Sequence, residues 1–195
     1  MTRIVAGQAG GRRLAVPPSG TRPTSDRARE ALFSSLDASL HGLTGVRFLD
    51  LYAGSGAVGL EAWSRGAARV VLVESAAAAV KVLRTNVTNL RSSHSPGPAG
   101  TIDVVAAKAE RTAADLPPSA FDVVFADAPY DLPAVQVAGV LATLAQRGVP
   151  RSGAIIVVER ATRDKWSWPL GYAATQDRKY GDATLHYATF DPTLL

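Results

Sequence analysis

Cysteine is absent from this chain of 195 residues, and histidine is confined to His41, His94 and His186. The first absence removes disulfides, thiolate metal sites and thiol nucleophiles. The second leaves no set of ligands for a histidine-based centre, so no metal is expected. No apolar run approaches the roughly 20 residues of a membrane span, and the opening MTRIVAGQAGGRRL lacks the apolar core of a signal peptide. A soluble, cytoplasmic protein is therefore expected. Charged residues make up only 19% against 47% apolar, the balance of a folded chain rather than a disordered one. The length suits one main α/β domain with a full core.

What charge there is lies unevenly. Arg3, Arg12, Arg13, Arg22, Arg27 and Arg29 stand against Asp26 and Glu30 within the first 30 residues, a net +4 that equals the formal charge of the whole chain. Such an arm either meets a polyanion while a neutral body does chemistry, or is simply solvated; charge alone does not choose. Residues 3–16 place two short strand-like runs around Gly7 to Gly11, which predicts a β-hairpin. Being too short to bury a core, it is expected to pack loosely on the domain or to order against a partner. Pro17, Pro18 and Gly20 read as a linker, giving a basic extension over 1–22 and a main domain over 23–195. Thr24 or Ser25 can cap a helix with Ala28, Ala31, Leu32, Ser35 and Leu36 on its buried stripe.

From residue 46 the chain alternates strand with helix. Strands are predicted at 46–51, 69–74, 102–106, 121–126 and 154–159, with helices at 57–65, 76–90 and within 132–146. Residues 92–100 form a loop by composition. Near-continuous β-branched strands between amphipathic helices mean a parallel sheet covered on both faces. Residues 172–178 and 184–190 flank Tyr180-Gly181-Asp182 and predict an antiparallel hairpin at the sheet edge.

Two constellations carry chemistry. Gly54, Gly56 and Gly59 match G-x-G-x-x-G after the first parallel strand, and Glu74 lies 20 residues after Gly54 at the end of the next. Spacing alone makes this a dinucleotide fingerprint. Asp50, four residues before Gly54, aims a carboxylate at the same crevice; it repels a pyrophosphate and attracts a cation, unless it is merely a polar strand end. S-adenosylmethionine, with an ammonium and a sulfonium and no phosphate, suits the carboxylate better, and Glu74 can accept both ribose hydroxyls of either cofactor. The second constellation is Asp127-Ala128-Pro129-Tyr130, ending the fourth parallel strand. A carboxylate and a backbone carbonyl can hold the two N–H groups of a nucleobase amine while an aromatic ring stacks on the base. The same residues also make an ordinary turn.

RIVAGQAGGRRL, RPTSDRAREALF, LDLYAGSGAVGLEAWSRGA, the strand ending in Glu74, the D-x-P-Y tetrapeptide and KYGDATLHY together resemble the RsmD family nearly end to end. Those proteins are class I methyltransferases that modify N2 of a guanine in 16S ribosomal RNA of the small subunit. The resemblance implies a Rossmann-like doubly wound seven-stranded sheet of order 3-2-1-4-5-7-6 with strand 7 antiparallel. It implies S-adenosylmethionine as donor and RNA as acceptor, within an assembling small subunit, acted on by a monomer. Asp50, Tyr52, Gly54, Gly56 and Glu74 would then lie on the cofactor, and Asp127, Ala128, Pro129 and Tyr130 on the guanine. The six arginines of the arm would meet RNA phosphates.

Two departures stand out. Ala128 replaces the family's usual proline but keeps the backbone carbonyl, so activity is expected to survive with a less rigid loop. Lys108 stands where many relatives of the superfamily carry Asp or Asn for the adenine amine; Ala109 backbone or Glu110 would have to substitute. Two rival classes remain: an NAD-dependent oxidoreductase, disfavoured by Asp50, and a non-catalytic RNA-binding or assembly factor on the same fold.

Overall fold

The computed structural model describes residues 2–17, 26–92 and 99–195. Arg22, the capping pair Thr24 and Ser25, most of the expected linker and most of the 92–100 loop lie outside them. A short hairpin, β1 (Thr2–Arg3) and β2 (Arg13–Leu14), leads to α1 (Asp26–Leu40). There follow β3 (Arg47–Leu51), α2 (Ala57–Ser64), β4 (Arg69–Glu74), α3 (Ala77–Arg91) and β5 (Thr101–Ala106). Then come α4 (Ala109–Asp115), β6 (Phe121–Asp127), α5 (Ala134–Gln146), β7 (Pro150–Ala161), β8 (Tyr172–Tyr180) and β9 (Ala183–Phe190).

Seven strands form one sheet in the order β5-β4-β3-β6-β7-β9-β8. Counted within the sheet this is 3-2-1-4-5-7-6, and β9 runs antiparallel to both neighbours, as expected. Leu49, Leu51, Val71, Val124 and Val158 face one layer with α4 and α5. Phe48, Val70, Leu72, Val123 and Val157 face the other with α1, α2 and α3. A strand buried on both sides needs apolar residues at every position, which is why these segments read as continuous runs. Helix α3 buries Val80, Leu83, Val87 and Leu90, the predicted stripe, together with Asn86. Helix α4 was not expected. Its sequence AERTAAD buries only Ala109, Thr112 and Ala113, side chains too small to produce an apolar period.

The expectation of a loosely packed N-terminal hairpin is corrected. Ile4, Ala9 and Leu14 belong to the same core as α1, α2 and α3. The hairpin's backbone is also bonded by buried polar side chains. Glu61 of α2 accepts the amides of Val5 at 2.6 Å and Ala6 at 2.9 Å. Ser64 accepts from Ala9 N–H, and Asn86 pairs with both backbone groups of Ala15. Gly7 passes so near α2 that a Cβ would fall 2.1 Å from the Ser64 carbonyl oxygen, so only glycine fits there. A two-residue ladder cannot stabilise itself in water, and here the helices supply what it lacks.

Candidate functional site

At the carboxyl ends of β3 and β4 the chain makes the glycine turn. Tyr52, directly after β3, sits at φ 64°, a left-handed conformation that a tyrosine adopts only under constraint. Its hydroxyl is buried without a partner among the described residues. Burial and the nearby Glu110 push this phenol up, while Arg160 works in the opposite sense. Gly56 and Gly59 are bare for packing: Cβ atoms there would lie 2.4 Å from Leu83 and 2.2 Å from Leu72. Gly54 differs, since a Cβ there would meet nothing within 4 Å. The glycine turn therefore packs tightly at its helix end and stays open at Gly54.

Carboxylates surround that opening. Asp50 is buried and accepts the Gly59 N–H at 2.9 Å. Glu74 accepts the Gly54 N–H at 2.8 Å and those of Ser75 and Ala76 at 2.7 Å, which fixes it at the mouth of the turn. Asp50 is in register with Phe125 of β6, so Asp127, two residues on, projects from the same face of the sheet. Burial pushes the Asp50 carboxyl up to about 8; the Gly59 hydrogen bond opposes this, and repulsion from Asp127 and Glu74 adds to it. Three carboxyl groups gathered in this way form a site for a cation, and the open face at Gly54 leaves room beside it. The residues present thus fit S-adenosylmethionine on charge, as they do not fit a pyrophosphate.

At the end of β6, Asp127 is in register with Glu159 of β7, a buried carboxylate that closes an apolar run and carries no motif in the sequence. Ala128 is buried, while Pro129 and Tyr130 are exposed, Tyr130 to 39%. The turn closes with Leu132 N–H donating to the Pro129 carbonyl at 2.9 Å. Lys108 precedes α4 with an exposed side chain, and its carbonyl is taken by Thr112 N–H and Oγ1. Ala109 is buried at the start of that helix.

The basic arm is divided by the fold. Arg3, Arg13 and Arg27 are exposed. Arg12 is half-buried, with Nη1 donating to the Leu90 carbonyl at 3.0 Å. Arg29 is withdrawn from solvent altogether; it donates to Thr2 Oγ1 at 2.9 Å and the Arg3 carbonyl at 2.7 Å. The expectation that Arg29 meets RNA phosphate is corrected: it clamps the hairpin to α1. An open cleft of about 690 Å³ runs along α3 from Ser75 past Lys81 and Arg84, on the Glu74 side of the glycine turn and away from Asp127.

The fold is that of the class I methyltransferases: a doubly wound sheet with a glycine turn, a carboxylate on each of two adjacent strands, and an acidic turn at the end of the fourth. The chain belongs to the family described as conserved hypothetical protein 95, the RsmD family, whose model matches residues 2–189. It is 46% identical over 91 residues to ribosomal RNA small subunit methyltransferase D of Escherichia coli, a match covering 46% of this chain and 44% of that one, so the aligned segment spans less than half of that relative. The protein of the same name from Haemophilus influenzae is 34% identical over 80% of this chain and 77% of its own. The solved structure of YhhF from Escherichia coli superposes with a TM-score of 0.81 at 29% identity, covering 97% of this chain and 98% of that one. Among the described residues no helix is long and apolar enough to cross a membrane.

Proposed function

We propose that this protein transfers the methyl group of S-adenosylmethionine to the exocyclic N2 of a guanine in 16S ribosomal RNA of the small ribosomal subunit. The observation that carries the reading is the convergence of Asp50, Glu74 and Asp127 on one crevice, with a turn that exposes Tyr130 following the third. The names of the Escherichia coli and Haemophilus influenzae relatives support RNA as acceptor.

Bound at the glycine turn, S-adenosylmethionine supplies an electrophilic methyl on a positively charged sulfur. Asp50 and Glu74 hold its cationic and hydroxyl groups, and the bare face of Gly54 admits it. Asp127 and the Ala128 carbonyl accept the two N–H bonds of the guanine amine. Its lone pair, otherwise delocalised into the ring, is thereby aimed along the line of transfer. As the new carbon–nitrogen bond forms, the methyl–sulfur bond breaks, leaving S-adenosylhomocysteine as a neutral thioether and the positive charge on the nitrogen. Asp127 stabilises that charge and takes the proton, directly or through water. Tyr130 offers a ring on which the extruded base stacks. Arg3, Arg12, Arg13 and Arg27 contact phosphates, which positions the RNA but does not choose the base.

The test is to incubate the protein with methyl-labelled S-adenosylmethionine and small subunits lacking the modification, then digest the RNA to nucleosides. Label in N2-methylguanosine at a single position is expected. Label in another base, or none with a protein that binds the donor, overturns the reading; the second result would leave an RNA-binding or assembly factor.

A further inference from the structure

Arg160 lies in β7, one residue beyond the Glu159 that flanks Asp127, and is 1% exposed. A guanidinium taken out of water is costly unless most of its donors are met. Nη2 donates to the Leu132 carbonyl at 2.8 Å and to Asp164 Oδ2 at 2.9 Å. Nη1 faces the carbonyls of Ala128 and Pro129, each at 3.4 Å. Three of these four acceptors are backbone carbonyls of one short turn, residues 128–132, which follows Asp127 directly. That turn belongs to no helix or strand. Arg160 is also near enough to Tyr52, on the donor side, to influence its phenol. One buried cation therefore sits under the acceptor turn and reaches toward the glycine turn.

We propose that Arg160 is a positioning residue for the methyl acceptor. Its planar fork fixes the carbonyls of Ala128, Pro129 and Leu132, and so sets the direction in which the Ala128 carbonyl meets the nucleobase amine. The proposal rests on the function put forward above. It also accounts for how an alanine, with no ring to stiffen it, can occupy position 128 beside the reacting group. The side chain acts through the turn and touches neither donor nor base. A planar fork can address several carbonyls at fixed angles, and an ammonium of similar charge cannot.

The test is Arg160→Lys, which retains the cation and loses the fork. Single-turnover methyl transfer is measured at saturating donor and RNA, beside donor affinity, RNA affinity and Tm, at 37 °C and again at about 15 °C. The expected result is a rate lower by about tenfold to a hundredfold at both temperatures, with both affinities within about threefold of wild type, because small misplacements of reacting groups cost rate rather than binding. An unchanged rate overturns the proposal. So does a rate that falls only at 37 °C, in step with unfolding, and recovers in the cold, since that marks a purely structural arginine. If wild-type protein itself transfers no methyl group, the function fails first and takes the proposal with it; product from wild type and equal product from Arg160→Lys refutes the positioning role alone.

Discussion

The turn after β3 and the turn after β6 end neighbouring strands of one sheet, yet they are held by different means. The first is fixed many times over: Glu74 gathers three backbone amides, Asp50 accepts from Gly59, and Asn86 donates to the Ser55 carbonyl. Gly56 and Gly59 lock α2 against Leu83 and Leu72. The second closes with the Leu132 N–H on the Pro129 carbonyl and lies over a buried guanidinium that faces the carbonyls of Ala128, Pro129 and Leu132. On the proposed function, a small donor of constant shape would meet a rigid, preformed cradle, and a base drawn from a large RNA would meet a turn with an exposed aromatic ring on an anchored floor.

The largest effect should follow from breaking the rigid side. Gly59→Val places branched carbon where a single Cβ already falls 2.2 Å from Leu72 and 3.1 Å from Asp50, so α2 must shift. A loss of about 3 kcal/mol or more of stability is expected, with donor binding lost alongside, read by thermal melts and calorimetry. Equal stability would mean the helix is not tightly docked.

Next in size is a pH effect confined to the donor side. Folding raises the Asp50 carboxyl above its usual acidic range to about 8, so the free protein binds a proton there that the unfolded chain has released. The Asp50 contribution to stability is thus fully present at low pH and fades as pH rises through the unfolded value and up to about 8. A cationic donor favours the ionised form. Its affinity should rise by up to about tenfold per pH unit from 6 to 8 and then level off. Binding at neutral pH should release close to one proton, measured by calorimetry in buffers of different ionisation enthalpy. Asp50→Asn should abolish the release; a release that persists would assign it elsewhere.

The smallest effect concerns the rim. Arg13→Ala should lower the slope of log affinity against log salt for RNA by about 1 and leave the melt unchanged. An unchanged slope would make that side chain merely solvated. Arg29→Ala should lower the melting temperature, since it removes the clamp on β1.

Much of this was legible in the residues. The glycine turn announces itself because strand periodicity gives way to helix periodicity across three glycines, and Asp50, Glu74 and Asp127 stand at strand ends that the apolar runs define. The sheet order came from the resemblance, and the protein has it. What escaped were polar side chains whose burial depends on distant chain. Arg29 bonds residues 2 and 3, Glu61 bonds 5 and 6, Asn86 bonds 15, and Arg160 bonds the turn at 128–132. In a linear reading each looks like a surface residue, because nothing local tells a solvated charge from a satisfied one. Asn86 leaves one trace, falling on the buried side of α3 beside Leu83, Val87 and Leu90, whereas α2 is buried all round and Glu61 leaves none.

The division between the two turns is tested most directly by Asp127→Ala, with donor affinity and single-turnover methyl transfer measured on the same preparation. If Asp127 serves the acceptor, the rate should fall by about a thousandfold while donor affinity stays within about threefold. Loss of donor binding in proportion to the lost rate would place Asp127 on the donor instead and contradict the assignment.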